Sequence, residues 1–128
     1  MDTHLFSFAN DMYVEATSKL AAMATFVNEL KGNPAAPALL KTFAAEIRAI
    51  VDETADRPSA QSHRFYDSLN RLEQTIDELR GTETSRQQVL DGIEVCRDAV
   101  TALARDLSRR CTSQHRRTTP RAKTHAAA

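Results

Sequence analysis

Between Thr82 and Arg110 an apolar residue recurs at every third or fourth position: Val89, Ile93, Cys96, Val100, Leu103 and Leu107. Spacings of four, three, four, three and four place all six on one face of a helix. Water cannot cover such a stripe cheaply, so the helix needs an apolar partner surface of similar length. No other feature restricts the fold as strongly. What it leaves open is whether the cover comes from a second chain or from elsewhere in this one.

Three further stripes of the same kind precede it. The first covers about residues 4–31, where Phe6, Ala9, Tyr13, Ala16, Leu20, Met23, Val27 and Leu30 alternate three and four. Gly32 and Pro34 stop it, glycine by supplying a left-handed C-terminal residue and proline by refusing to continue the ladder. The second begins near Ala35 to Pro37, since a proline in the first turn loses no hydrogen bond. Leu40, Phe43, Ile47 and Ile50 mark its seam, widened by Leu39, Ala44 and Val51. Its end collects Asp52, Glu53 and Asp56, the unfavourable end of the dipole for acid, before Pro58 closes it. The third seam is Phe65, Leu69, Leu72, Ile76 and Leu79 with Tyr66 beside it, capped by Ser59 or Ser62 and stopped by Gly81. Thr82 or Thr84 caps the fourth helix, and Thr84 with Gln87 has capping-box spacing.

Short connections cannot carry the chain back along a helix ~30–40 Å long, so successive helices alternate in direction. The expected fold is all-α: an antiparallel up-down-up-down four-helix bundle over residues 1–110, followed by a disordered basic tail, residues 111–128. The first and fourth helices outrun the middle pair. The excess apolar surface around Phe6, Phe8 and Tyr13 is expected to tuck inside, with a homodimer contact as the alternative. Gly92 interrupts a helix interior at a cost of about 1 kcal/mol relative to alanine. It lies between Ser85 and Ala99 at intervals of seven, an edge of small residues that predicts close approach of a neighbouring helix.

Composition fits one soluble domain: 128 residues, 41% hydrophobic and 27% charged. No apolar run reaches membrane-spanning length. The start, Met1-Asp2-Thr3-His4, lacks a signal peptide's basic region and apolar core, which predicts the cytoplasm, with signal-peptide-independent export as the alternative. The zero net charge conceals an asymmetry. All 17 acidic residues lie at or before Asp106, whereas Arg109, Arg110, Arg116, Arg117, Arg121 and Lys123 follow with no carboxylate among them.

The chemistry that helical bundles commonly host finds little support. A carboxylate-bridged metal centre needs inward-facing glutamates and a Glu-x-x-His pair, and neither occurs. The acid pairs Asp11/Glu15, Asp52/Asp56, Glu73/Asp77 and Glu94/Asp98 lie off the seams and read as solvated faces. Cys96 reads as a small core residue; Cys111, beside Arg109 and Arg110, reads as a surface thiol. On a continuous helix the two lie about 22 Å apart and cannot pair. His63 is the one histidine within the bundle proper. Phosphotransfer bundles carry a reactive histidine in mid-helix beside lysine and a small residue, whereas Ser62-His63-Arg64 stands in a first turn. Arg57 to His63 and Arg110 to His115 have the Arg-x4–6-His spacing of HEPN-type nucleases, a match this composition produces by chance. No phosphate loop or nucleophile elbow is present.

The resulting expectation is a non-enzymatic, macromolecule-binding bundle without a cofactor, metal or small-molecule substrate: a regulator, adaptor or accessory factor. Its partner is another protein, and the basic tail, through Arg109, Arg110, Arg116, Arg117, Arg121 and Lys123, adds electrostatic affinity. The alternatives are nucleic-acid or anionic-membrane association through that tail, a phosphotransfer or HEPN-like activity at His63, and a secretion-linked chaperone or effector segment.

Overall fold

Each apolar stripe becomes a helix, and the four helices cover one another. In the computed structural model α1 spans Asp2–Glu29, α2 Ala36–Thr54, α3 Ala60–Asp77 and α4 Glu83–His125. The structure describes residues 2–29, 33–55, 58–80 and 82–125, with side chains for 9–29, 33–55, 58–80 and 82–109. Among the described residues there is no strand. α1 packs against α2 and α4, and α3 against α2 and α4, while diagonally opposed helices keep their backbones apart. This is the square arrangement of an antiparallel four-helix bundle. Contact between α1 and α4 is the most extensive, and that between α2 and α3 is the thinnest. At 1.5 Å per residue α1 is ~42 Å long, against roughly 28 Å for α2 and α3. The outer pair therefore outruns the middle pair, as the stripes predict.

All six seam residues of α4, from Val89 to Leu107, are buried, and so are Phe65, Leu69, Leu72 and Ile76 of α3. Two seams are rotated from the sequence expectation. On α1 Met12 is buried at 2% exposure and Tyr13 stands 36% exposed, so the seam runs through Ala9, Met12 and Ala16. Both residues satisfy a three-four rhythm between Ala9 and Ala16, and Met12 sends its whole side chain inward while Tyr13 keeps its hydroxyl at the surface. On α2 the buried line is Ala36, Leu40, Ala44, Ile47 and Val51. Phe43 and Ile50 flank it, half-buried, and Leu39 is exposed. Phe43 instead meets Phe26 of α1, ring centroids 5.4 Å apart, and lies under the Lys19 ammonium.

The helix starts follow their side chains. Ser59 caps α3 and closes a capping box with Ser62: Ser62 N–H donates to Ser59 Oγ at 3.1 Å, and Ser59 N–H donates to Ser62 Oγ at 2.8 Å. At α4 the cap is Thr82, whose Oγ1 accepts from Ser85 N–H at 3.1 Å. Thr84 forms no box with Gln87, which instead donates its side-chain amide to Asp91. At the start of α2 Asn33 Oδ1 accepts from Ala35 N–H at 2.8 Å and Pro37 lies in the first turn.

The small-residue edge on α4 is occupied. A Cβ placed on Gly92 would stand 3.1 Å from Leu72 Cδ1 and 3.9 Å from Leu72 Cα, so α3 lies almost on the α4 backbone there. Ser85, further up the same edge, accepts a hydrogen bond from Arg80 N–H at 2.7 Å and ties the α3–α4 turn to the helix. The thin α2–α3 contact is bridged by polar groups. Arg48 donates to Asn70 at 2.9 Å and to Glu73 at 2.8 Å, and its guanidinium lies over the Tyr66 ring. Tyr66 O–H donates to the Asp52 carboxylate, and Lys41 pairs with Asp77 at 2.9 Å. Asp52, at the unfavourable end of the α2 dipole, thus has its own donor across the interface.

The backbone of α4 runs on as helix to His125. Where the sequence predicts a tail without fixed structure over residues 111–128, the backbone is helical through 125; side chains from Arg110 onward, and residues 126–128 altogether, lie outside the described residues. Phe6, Phe8, Leu30, Gly32, Arg57 and Gly81 lie outside the described side chains as well.

Candidate functional site

The described interior is apolar apart from three serines. Among the described residues the only buried polar side chains are Ser62, Ser68 and Ser85, and each hydroxyl is engaged with nearby backbone. Cys96 is wholly buried; desolvation, helped by the negative charge of Glu73, pushes its thiol up from 9.0 to about 12. Its thiol stays protonated at neutral pH and packs among the apolar side chains of the core. His63 projects into solvent from the first turn of α3. Among the described residues no group of three His, Cys, Asp or Glu side chains gathers closely enough to hold a metal ion. No helix there is long and apolar enough to cross a membrane.

A concave feature of the described surface lies between α1 and α4, near the start of α1. It is a groove of about 410 Å³. α1 contributes Ala9, Asn10 and Tyr13, one face over a single turn. α4 contributes Thr101, Ala104, Arg105, Ser108 and Arg109, one face over two turns. The two alanines, both buried, form the floor. A methyl group at each leaves a furrow instead of a ridge. Tyr13 forms a wall because Met12 has taken the inward position.

Among the described residues two guanidinium groups line this groove and no carboxylate does. Arg105 is exposed and makes no ion pair with any described residue. Arg109 is held only loosely, 3.7 Å from Asp106, with 69% of its side chain exposed. By comparison, the pairs Lys19–Glu46, Lys41–Asp77 and Arg48–Glu73 close to 2.8–3.0 Å. Thr101 donates its hydroxyl to Arg97 C=O, which leaves the oxygen lone pairs available to a donor. The arrangement can hold an apolar group on its floor and an anion at its rim.

Of the basic residues singled out from the sequence, Arg109 is in this groove; Arg110, Arg116, Arg117, Arg121 and Lys123 lie outside the described side chains. Arg105 and Thr101 escaped sequence reading. Their signal is positional, since Thr101, Arg105 and Arg109 follow one another at i,i+4 along α4, off the seam. No protein-family model, characterised protein or solved structure matches the chain.

Proposed function

We propose that this chain is a non-enzymatic bundle that binds another protein, as a regulator, adaptor or accessory factor, with its basic end adding electrostatic affinity. The observation that carries the reading is where the charges are. Every described buried position is apolar or a backbone-tied serine, while the basic run beginning at Arg109 starts on an exposed helix face. A core of this kind does structural work alone, which leaves the surface to do the rest. Charged groups at such a surface steer encounter and select partners of opposite sign.

Catalysis is the claim to test. The purified protein, offered acetyl phosphate, a phosphorylated donor domain or single-stranded RNA, is expected to turn over none of them. Turnover that disappears in His63→Ala would contradict the non-enzymatic reading and favour a phosphotransfer or nuclease role. In parallel, removal of residues after Ser108 should abolish salt-sensitive binding of acidic macromolecules while barely moving the melting temperature. Binding that survives the truncation would remove the tail from the account.

A further inference from the structure

We infer that the α1–α4 groove seats an acidic amphipathic helix of a partner protein, apolar side chains on the Ala9/Ala104 floor and carboxylates against Arg105 and Arg109. The inference rests on the protein-binding reading above and gives it a location. Charge complementarity argues for the occupant's sign. Among the described residues the lining carries two guanidinium groups and no acid, Arg105 has no ion-pair partner, and Arg109 has only a long one. An incoming carboxylate finds Arg105 without an ion pair among the described residues and needs to displace only a long one at Arg109. A planar guanidinium can take it through two parallel hydrogen bonds.

Shape argues for a helix. The α4 side of the groove runs from Thr101 to Arg109, about 12 Å or two turns. That length matches the i, i+3 and i+7 anchors by which an amphipathic helix lies in a furrow. The volume of about 410 Å³ accommodates a few side chains. The floor of two methyl groups permits close approach, and Tyr13 offers an aromatic wall of the kind enriched at protein interfaces. A nucleic-acid strand would gain little from the described lining: Tyr13 alone cannot support successive base stacking, and an alanine floor offers nothing to a sugar-phosphate chain.

The test uses the full chain and a fluorescein-labelled helical peptide with leucine at i, i+3 and i+7 and glutamate on its flanks. Anisotropy titrations compare the native protein with Arg105→Glu, with Thr101→Trp, which fills the groove, and with Arg116→Glu/Arg117→Glu, which alters only the tail. Far-UV circular dichroism and melting confirm that each variant is folded. Arg105→Glu and Thr101→Trp should each weaken binding by roughly tenfold or more, since a reversed rim charge and a filled pocket act at the contact itself. The tail variant should lose less, and its loss should shrink as salt rises.

Unchanged affinity in both groove variants would overturn the inference; if the tail variant alone loses binding, the basic-tail reading stands without the groove. No binding by the native chain also overturns the inference, while leaving other protein partners to the broader reading. A labelled RNA that binds with the same dependence on Arg105 and Thr101 would overturn it in favour of a phosphate ligand.

Discussion

Replacing Gly92 with valine tests the α3–α4 contact at its tightest point. A Cβ at this position already lies 3.1 Å from Leu72 Cδ1, whereas non-bonded carbons rest at about 3.5–4.0 Å. Leu72 must therefore move by some tenths of an ångström for alanine, and further for the two γ-methyls of a stiff β-branched side chain. Overpacking of this kind costs about 1–3 kcal/mol. Removing a glycine from a helix interior returns only a few tenths of that for valine, because valine is itself a modest helix former. The expected net is a destabilisation of about 1–2.5 kcal/mol, or a fall in melting temperature of roughly 4–10 °C for a domain of this size. Leu72→Ala alone should cost about 2–5 kcal/mol through the cavity it leaves. Combined with Gly92→Val it should cost less than the sum, because the new methyls enter that cavity. Urea unfolding of the four members of the cycle measures the coupling. Strict additivity, or a Gly92→Val protein as stable as the native one, would show that Leu72 does not pack on Gly92.

Other perturbations have defined outcomes. Arg48→Ala removes both hydrogen bonds that join α2 to Asn70 and Glu73 at a half-buried site, and should lower urea-unfolding stability by about 1–2 kcal/mol. Lys41→Ala, whose pair with Asp77 is exposed, should cost under about 1 kcal/mol and less at high salt. Ser59→Ala and Thr82→Ala should each cost about 1 kcal/mol, whereas Thr84→Ala should be nearly neutral in thermal melts. Cys96 and Tyr66 both have folded pKa values raised to about 12, Cys96 chiefly and Tyr66 first by burial, the latter aided by the Asp52 hydrogen bond. A raised pKa favours the protonated form in the fold. Its stabilisation is complete below the unfolded value, near 9.0 for the thiol and 10.0 for the phenol, and is lost as pH climbs toward 12. Stability should fall across that window, and Cys96→Ala should flatten the fall between pH 9 and 10, where the thiol acts alone; an unchanged slope would contradict the assignment.

Helix number, direction and most of the core were legible because a three-four rhythm has one structural solution when turns are short. The α4 seam and the α3 core residues Phe65, Leu69, Leu72 and Ile76 matched position by position. Rotation was harder to read where neighbouring residues were both apolar. Met12 and Tyr13 fit the same rhythm, and the choice between them depends on the facing helix. The same holds for Phe43 and Ala44, where the smaller residue takes the line and the ring finds Phe26 instead. Gly92 announced a close approach, but not that Leu72 makes it. The α2–α3 polar bridges join residues 14 to 36 positions apart, and nothing local marks such pairs. The groove was legible only in half: Arg109 stood out in a basic run, while Thr101 and Arg105 became site residues once α1 lay beside α4.

The central claim, protein binding aided by the basic end, is tested most directly by immobilising the full chain beside the chain ending at Ser108. Both are exposed to native-cell extract with and without nuclease. The account predicts an acidic protein retained by the full chain, resistant to nuclease, released by salt and much reduced on the shorter chain. Equal retention on both chains, or material that vanishes on nuclease treatment, would contradict it.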